Sequence, residues 1–120
     1  MSDSISSLLS SVRLFADARN WEQFHSPKNL AMALIVEAGE LVEHFQWLSE
    51  QESCALSPGQ REEVALEMAD VLIYLCRLSD RLDIDLLAAA QKKMRINEEK
   101  YPVKRARNSR EKYTAWREEE

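Results

Sequence analysis

A chain of 120 residues that holds only two glycines and three prolines has few places to make tight turns. A β-rich fold needs such residues at most of its strand connections, so the scarcity favours helices joined by short links. Apolar periodicity agrees. Ile5, Leu8, Leu9, Val12 and Phe15–Ala16 recur at helical spacing and predict a first amphipathic helix over about residues 4–20. Trp21 to Ser26 reads as a connector, and Ser26–Pro27 as the N-cap and first position of a second helix, where proline's missing N–H costs nothing. That helix is expected to reach about Leu48, with residues 49–57 a loop. Ser57–Pro58, with Gln60 three residues on, is a capping-box start for a third helix to about Leu82. Asp83 or Asp85 caps a fourth, which ends near Lys100 ahead of Tyr101–Pro102. The expectation is an all-α, four-helix bundle-like domain over residues 1–102 and a charged C-terminal tail over residues 103–120, weakly periodic and either disordered or ordered by a partner.

The net charge of −5 provides no basic field for a phosphate backbone, which argues against nucleic-acid binding. The longest uninterrupted apolar run, Ala31 to Val36, is too short to span a bilayer, and the polar opening from Ser2 to Ser11 does not read as a signal peptide. Cys54 and Cys76 lack CxxC spacing and read as two reduced thiols. A cytoplasmic setting is expected. The third helix is apolar nearly all round from Val64 to Leu78, which marks a helix meant for burial. With an amphipathic first helix as well, a chain this short has one apolar stripe too many, and self-association with closed symmetry is the usual solution.

Against that apolar background the acids stand out. Glu37 and Glu40 are three residues apart and share one helix face, which His44 and Trp47 extend; Glu67 and Asp70 repeat the spacing on the third helix, flanked by Glu63 and Tyr74. Acids on exposed faces are common, and Glu37 and Glu40 alone fit a solvated face as well as a site. Glu67 and Asp70 do not, because their apolar flanks hold no Lys or Arg until Arg77. Two carboxylates on one such face repel each other and need something positive. Oxygen-only ligands suit a hard cation, Mg²⁺ or Mn²⁺, which also binds substrate phosphates. A di-iron bundle would want Glu-x-x-His pairs, which these helices lack.

Glu37-x-x-Glu40, twenty-six residues, then Glu67-x-x-Asp70 resembles the signature of the all-α nucleoside triphosphate pyrophosphohydrolases, the MazG-like superfamily. Trp21-Glu-Gln-Phe-His-Ser-Pro-Lys-Asn-Leu30, Glu37-Ala-Gly-Glu-Leu-Val-Glu-His-Phe-Gln-Trp47, Asp70-Val-Leu-Ile-Tyr-Leu75 and Lys93-Met-Arg-Ile-Asn-Glu-Glu-Lys-Tyr-Pro102 are similar to blocks of its dCTP pyrophosphatase branch, over about Phe15 to Pro102. The resemblance implies a MazG-type helical fold and Mg²⁺-dependent cleavage between the α- and β-phosphates of dCTP or a modified dCTP, in nucleotide-pool house-cleaning. It assigns Glu37, Glu40, Glu67 and Asp70 to metal and catalysis, Trp21, His25 and Trp47 to the base, and Lys93, Asn97 and Tyr101 to phosphates. It also implies a homotetramer, a pair of dimers with sites near subunit boundaries. Taken without it, a Trp such as Trp47 is more often core than ligand contact, and Lys93 fits a solvated helix end as well as a site. Two other readings stand beside it: an inactive helical interaction or scaffold module, and a related enzyme acting on dUTP or other nucleotides.

Overall fold

The computed structural model describes residues 4–119, and among them there is no strand. Five of its helices are α1 (Ile5–Ala18), α2 (Pro27–Glu43), the one-turn α3 (Glu50–Ser53), α4 (Pro58–Arg81) and α5 (Leu86–Lys100). A 3₁₀ turn, Glu22–Phe24, links α1 to α2; a short α6 (Val103–Ala106) and a 3₁₀ segment, Tyr113–Glu119, follow α5. Packing divides the chain into two compact units, Met1–Ile84 and Asp85–Glu120.

Side chains placed in the sequence for the purpose start the helices. Ser26 Oγ accepts from the Asn29 N–H at 3.2 Å with Pro27 at the first position, and Ser57 and Gln60 form the expected capping box, at 3.2 and 2.9 Å. A second box, Ser49 with Glu52, closes α3 in the stretch expected to be loop. Asp85, not Asp83, caps α5, accepting from Ala88 N–H at 3.0 Å.

With so few glycines, the chain ends helices on other residues that tolerate the left-handed region. Asn20 and Asp83 each have φ 54°. At the first, Trp21 N–H donates to the Ala16 carbonyl at 3.0 Å and Asn20 N–H to that of Asp17 at 3.1 Å. At the second, Ile84 donates to Ser79 at 2.9 Å and Asp83 to Asp80 at 3.2 Å. Both are Schellman closures, built without glycine. The first swings the chain so that Trp21 lies against Phe15 near the end of α1, with His25 beside it.

Within the first unit α4 packs against both α1 and α2. The core there is thin: Ala16, Leu30, Val64 and Cys76 are its buried apolar residues. The expected burial of the third helix is therefore not met within one chain, since Leu66 and Met68 on α4 are 61% and 57% exposed. On α2, Met32, Ile35, Val36 and Val42 are more than half exposed as well. The second helix also stops earlier than expected, at Glu43. His44 N–H donates to Leu41 and Phe45 N–H to Val42, so the chain tightens into i→i+3 turns.

In the second unit, the segment beyond Val103 is ordered on the end of α5. Tyr101 makes edge-to-face contacts with Tyr113 and Trp116, at 5.9 and 5.7 Å between centroids, and Trp116 is buried.

Candidate active site

Packing α2 on α4 turns the two acid pairs toward one point. Glu37, Glu67 and Asp70 each bring a carboxylate oxygen within 4.8 Å of the others. Glu40 is outside that tight group but within hydrogen-bonding reach of both Glu37 and Glu67. No Lys or Arg pairs with any of the four among the described residues. Glu37 Oε2 and Glu67 Oε1 are fully buried and have no hydrogen-bond partner. The electrostatics record the crowding. The Glu40 carboxyl within hydrogen-bonding reach, then burial, then the charges of Glu40, Glu37 and Asp70 push Glu67 up to about 7. Burial, then Glu40 and Asp70, raise Glu37. Orphaned, mutually repelling oxygens and an all-oxygen donor set fit a hard divalent cation. The predicted electrostatic problem is real, and the residues present fit the group that would relieve it.

Beside the acids lies a cavity of about 410 Å³, a size that suits a small-molecule site. Leu8, Val12 and Phe15 of α1 form an apolar wall, Trp21 and His25 close the end beyond the Schellman turn, and Asp70, Tyr74 and Arg77 of α4 line the opposite side. Trp21 stands edge-on to Phe15 and to His25, at 5.7 and 6.0 Å between centroids. Asp70 belongs to both the acid cluster and the cavity wall, so the two are one continuous site.

The structure thus brings together Glu37, Glu40, Glu67, Asp70, Trp21 and His25. Trp47 does not line this cavity; it is 87% exposed in the turn after α2, so the helical face running from Glu37 to His44 does not carry on to it. Lys93, Asn97 and Tyr101 belong to the second unit. Lys93 is exposed, and Tyr101 is half-buried against the aromatic rings of Tyr113 and Trp116.

Sequence reasoning missed a set of charges behind the cavity. Arg77, 3% exposed, donates from Nε to His25 Nδ1 at 3.1 Å and from Nη1 to Asp80 Oδ2 at 3.2 Å. Arg13 forks onto both oxygens of Asp80, with Nε at 3.0 Å from Oδ2. Arg81 donates to the His25 carbonyl at 3.0 Å and pairs with Glu22. Only the Arg77–Asp80 pair, three apart on one helix, left a local trace in the sequence. Arg13 and His25 come from too far along the chain to be paired with it by eye.

Residues 32–115 match the MazG-like family. Human dCTP pyrophosphatase 1 is 49% identical over 102 residues, covering 83% of this chain, and the bovine protein of that name is 47% identical over the same span. The chain corresponds to 60% of the length of each of these curated relatives. A crystal structure of a pyrophosphatase from Archaeoglobus fulgidus superposes with a TM-score of 0.78 at 42% identity, covering 85% of this chain and 95% of that one. With a paired-acid site on packed helices and a family match over most of its length, the chain belongs to the MazG-like family.

Proposed function

We propose that the chain hydrolyses a nucleoside triphosphate between the α- and β-phosphates, releasing a monophosphate and pyrophosphate. The observation that carries this reading is the double membership of Asp70, which joins a cation-ready acid cluster to an aromatic cavity. A nucleotide has the matching two parts, a polyphosphate that travels with a divalent cation and a flat base. Glu37, Glu67 and Asp70, with Glu40 beside them, would hold Mg²⁺ or Mn²⁺. Bound there, the cation supplies charge neutralisation for the phosphates and makes an attacking water more acidic. One carboxylate of the four, left ionised beside the cation, would orient that water or take its proton. Trp21 offers a stacking face worth about 1–3 kcal/mol to any base. An inactive scaffold is disfavoured, because it would gain nothing from two buried carboxylate oxygens left without partners.

The finer assignments belong to the same proposal. The substrate is dCTP, plain or 5-modified, a choice supported by the names of the relatives. Lys93, Asn97 and Tyr101 serve the phosphates. The assembly is a homotetramer, supported by the thin core and by the apolar side chains that α2 and α4 leave exposed. Trp47, exposed in the single chain, is covered in that assembly and serves the base there. The setting is cytoplasmic; Cys54 and Cys76 are free thiols, and among the described residues no helix is long and apolar enough to cross a membrane. A panel of canonical and modified deoxynucleoside triphosphates with Mg²⁺, read by phosphorus NMR, tests the reaction. Pyrophosphate as the first product from dCTP is the expected result, and orthophosphate as the first product would refute the reaction class.

A further inference from the structure

Stacking on Trp21 is indifferent to which base is bound, so selectivity needs a polar group whose donor or acceptor character is fixed. His25 is such a group. A guanidinium has donors only, so the Arg77 Nε–H that lies 3.1 Å from His25 Nδ1 requires that nitrogen to be unprotonated. The neutral ring then carries its one proton on Nε2. That N–H has no hydrogen-bond partner among the described residues, on a side chain that lines the cavity. The lock is itself braced. Asp80, held by Arg13, fixes the other end of the Arg77 guanidinium, and Arg81 ties down the His25 carbonyl. Charging the ring would set an imidazolium N–H against Arg77; burial, then Arg77, then Arg81 hold the His25 pKa below its ordinary value.

Among pyrimidines a fixed donor discriminates only where their patterns differ. At O2 all present an acceptor. At the 4-position cytosine presents an amino donor and thymine and uracil an acceptor, and at N3 cytosine presents an acceptor where they present N3–H, so a fixed donor that favours cytosine must read N3.

We propose that Arg77 is a positioning residue that locks His25 as an Nε2–H donor, and that this donor reads N3 of cytosine and rejects bases carrying N3–H. The inference rests on the cavity being the base pocket.

Two measurements test it on the full chain. Long-range proton–nitrogen correlation of histidine-labelled protein reads the tautomer directly, with only His25 and His44 to assign. The expected spectrum shows His25 protonated at Nε2 alone, Arg77→Met shows a tautomer mixture, and Arg77→Lys, which keeps a donor-only group, restores part of the lock. Protonation at Nδ1 in the unaltered protein would overturn the proposal. The second measurement alters the ligand and leaves the fold intact, replacing cytosine N3 by C–H in 3-deaza-dCTP. Its kcat/KM should fall about ten-fold or more below that of dCTP, the size of one hydrogen bond to an otherwise stranded donor, and Arg77→Met should shrink that gap. If dCTP shifts the Trp21 indole resonance and 3-deaza-dCTP is turned over equally well, the proposal fails while the base pocket stands. If dCTP leaves that resonance unmoved, the pocket reading fails and takes this inference with it.

Discussion

Along α4, Glu67 and Asp70 meet other carboxylates, whereas Arg77 and Asp80, ten residues further on, meet partners of opposite charge. Both stretches are packed against neighbouring helices, so the difference lies in charge pairing. At the first, Glu40 and burial raise the carboxyl pKa of Glu67, and burial and Glu40 that of Glu37; at the second, the hydrogen bond from Arg13, with the charges of Arg13, Arg77 and Arg81, holds Asp80 below the usual carboxylate range. One stretch gathers like charges with no counter-charge, and the other is complete in itself. The contrast teaches that a single helix can carry an uncompensated acid cluster and, ten residues on, a fully paired charge network.

The largest expected effect follows from the uncompensated half. Asp70→Asn or Glu67→Gln should lower kcat/KM in Mg²⁺ by about two to three orders of magnitude, the scale of losing one preorganised electrostatic group. The metal-free variants should melt no lower than the parent, because each removes a repulsion. Circular dichroism during melting, run beside the kinetic assay, checks both halves; a variant that loses stability and keeps activity would break the contrast. Asp80→Asn should behave in the opposite way. It leaves the Arg77 guanidinium, whose side chain is 4% exposed, without its counter-charge, and should cost about 3 kcal/mol in denaturant titration, with no rescue by Mg²⁺.

A smaller effect separates the two stretches by pH. Glu67 titrates higher in the folded chain than in the unfolded one, so its contribution to metal-free stability is full below about pH 4.5 and is lost as pH rises toward about 7. Asp80 titrates lower when folded, so its contribution is present above the ordinary carboxylate value and lost as pH falls through the depressed one. Thermal melting of the metal-free chain should therefore weaken toward neutral pH, and Mg²⁺ should raise the midpoint more at pH 8 than at pH 5, since ligation requires deprotonated oxygens. Equal Mg²⁺ shifts at both pH values would contradict the acid cluster as the binding site.

The two stretches also differ in how readable they were. The acid pairs are a local pattern, three residues apart inside apolar runs, and helical spacing was enough to bring them onto facing surfaces. The capping signals at Ser26–Pro27 and Ser57–Gln60 were equally local. Ser49-x-x-Glu52 carried the same signal, but with no apolar run behind it the stretch read as loop, and it forms a single helical turn. The paired network was illegible because its members come from three distant segments, Arg13, His25 and Arg77–Asp80, and a charge that will be buried looks like one that will be solvated. The early end of α2 and the burial of Trp116 were hidden for a related reason. No glycine or proline marks the first, and the second depends on how Tyr101 and Arg105 come to meet the later aromatic ring.

The smallest expected effect serves as a control on the whole contrast. Gly39 lies in the middle of α2, between Glu37 and Glu40, and a Cβ built there meets nothing within 4 Å. Its backbone is helical and its φ is not positive, so alanine can take the same conformation without strain. Gly39→Ala should stabilise the isolated chain by about 0.5–1 kcal/mol, chiefly by restricting the unfolded state. If the cost of the acid cluster is electrostatic, this change in the same helix should leave the Mg²⁺ dependence and its pH profile untouched. Gly39 also lies on α2 with exposed Met32, Ile35, Val36 and Val42, so a second copy packed closely on that helix would feel the added methyl group. Denaturant titration and sedimentation at several concentrations separate the outcomes. A stabilised chain that still associates fits a free glycine beside a purely electrostatic site; weakened association puts Gly39 at a subunit contact; a changed Mg²⁺ requirement would mean that the backbone of α2, and not its carboxylates alone, tunes the site.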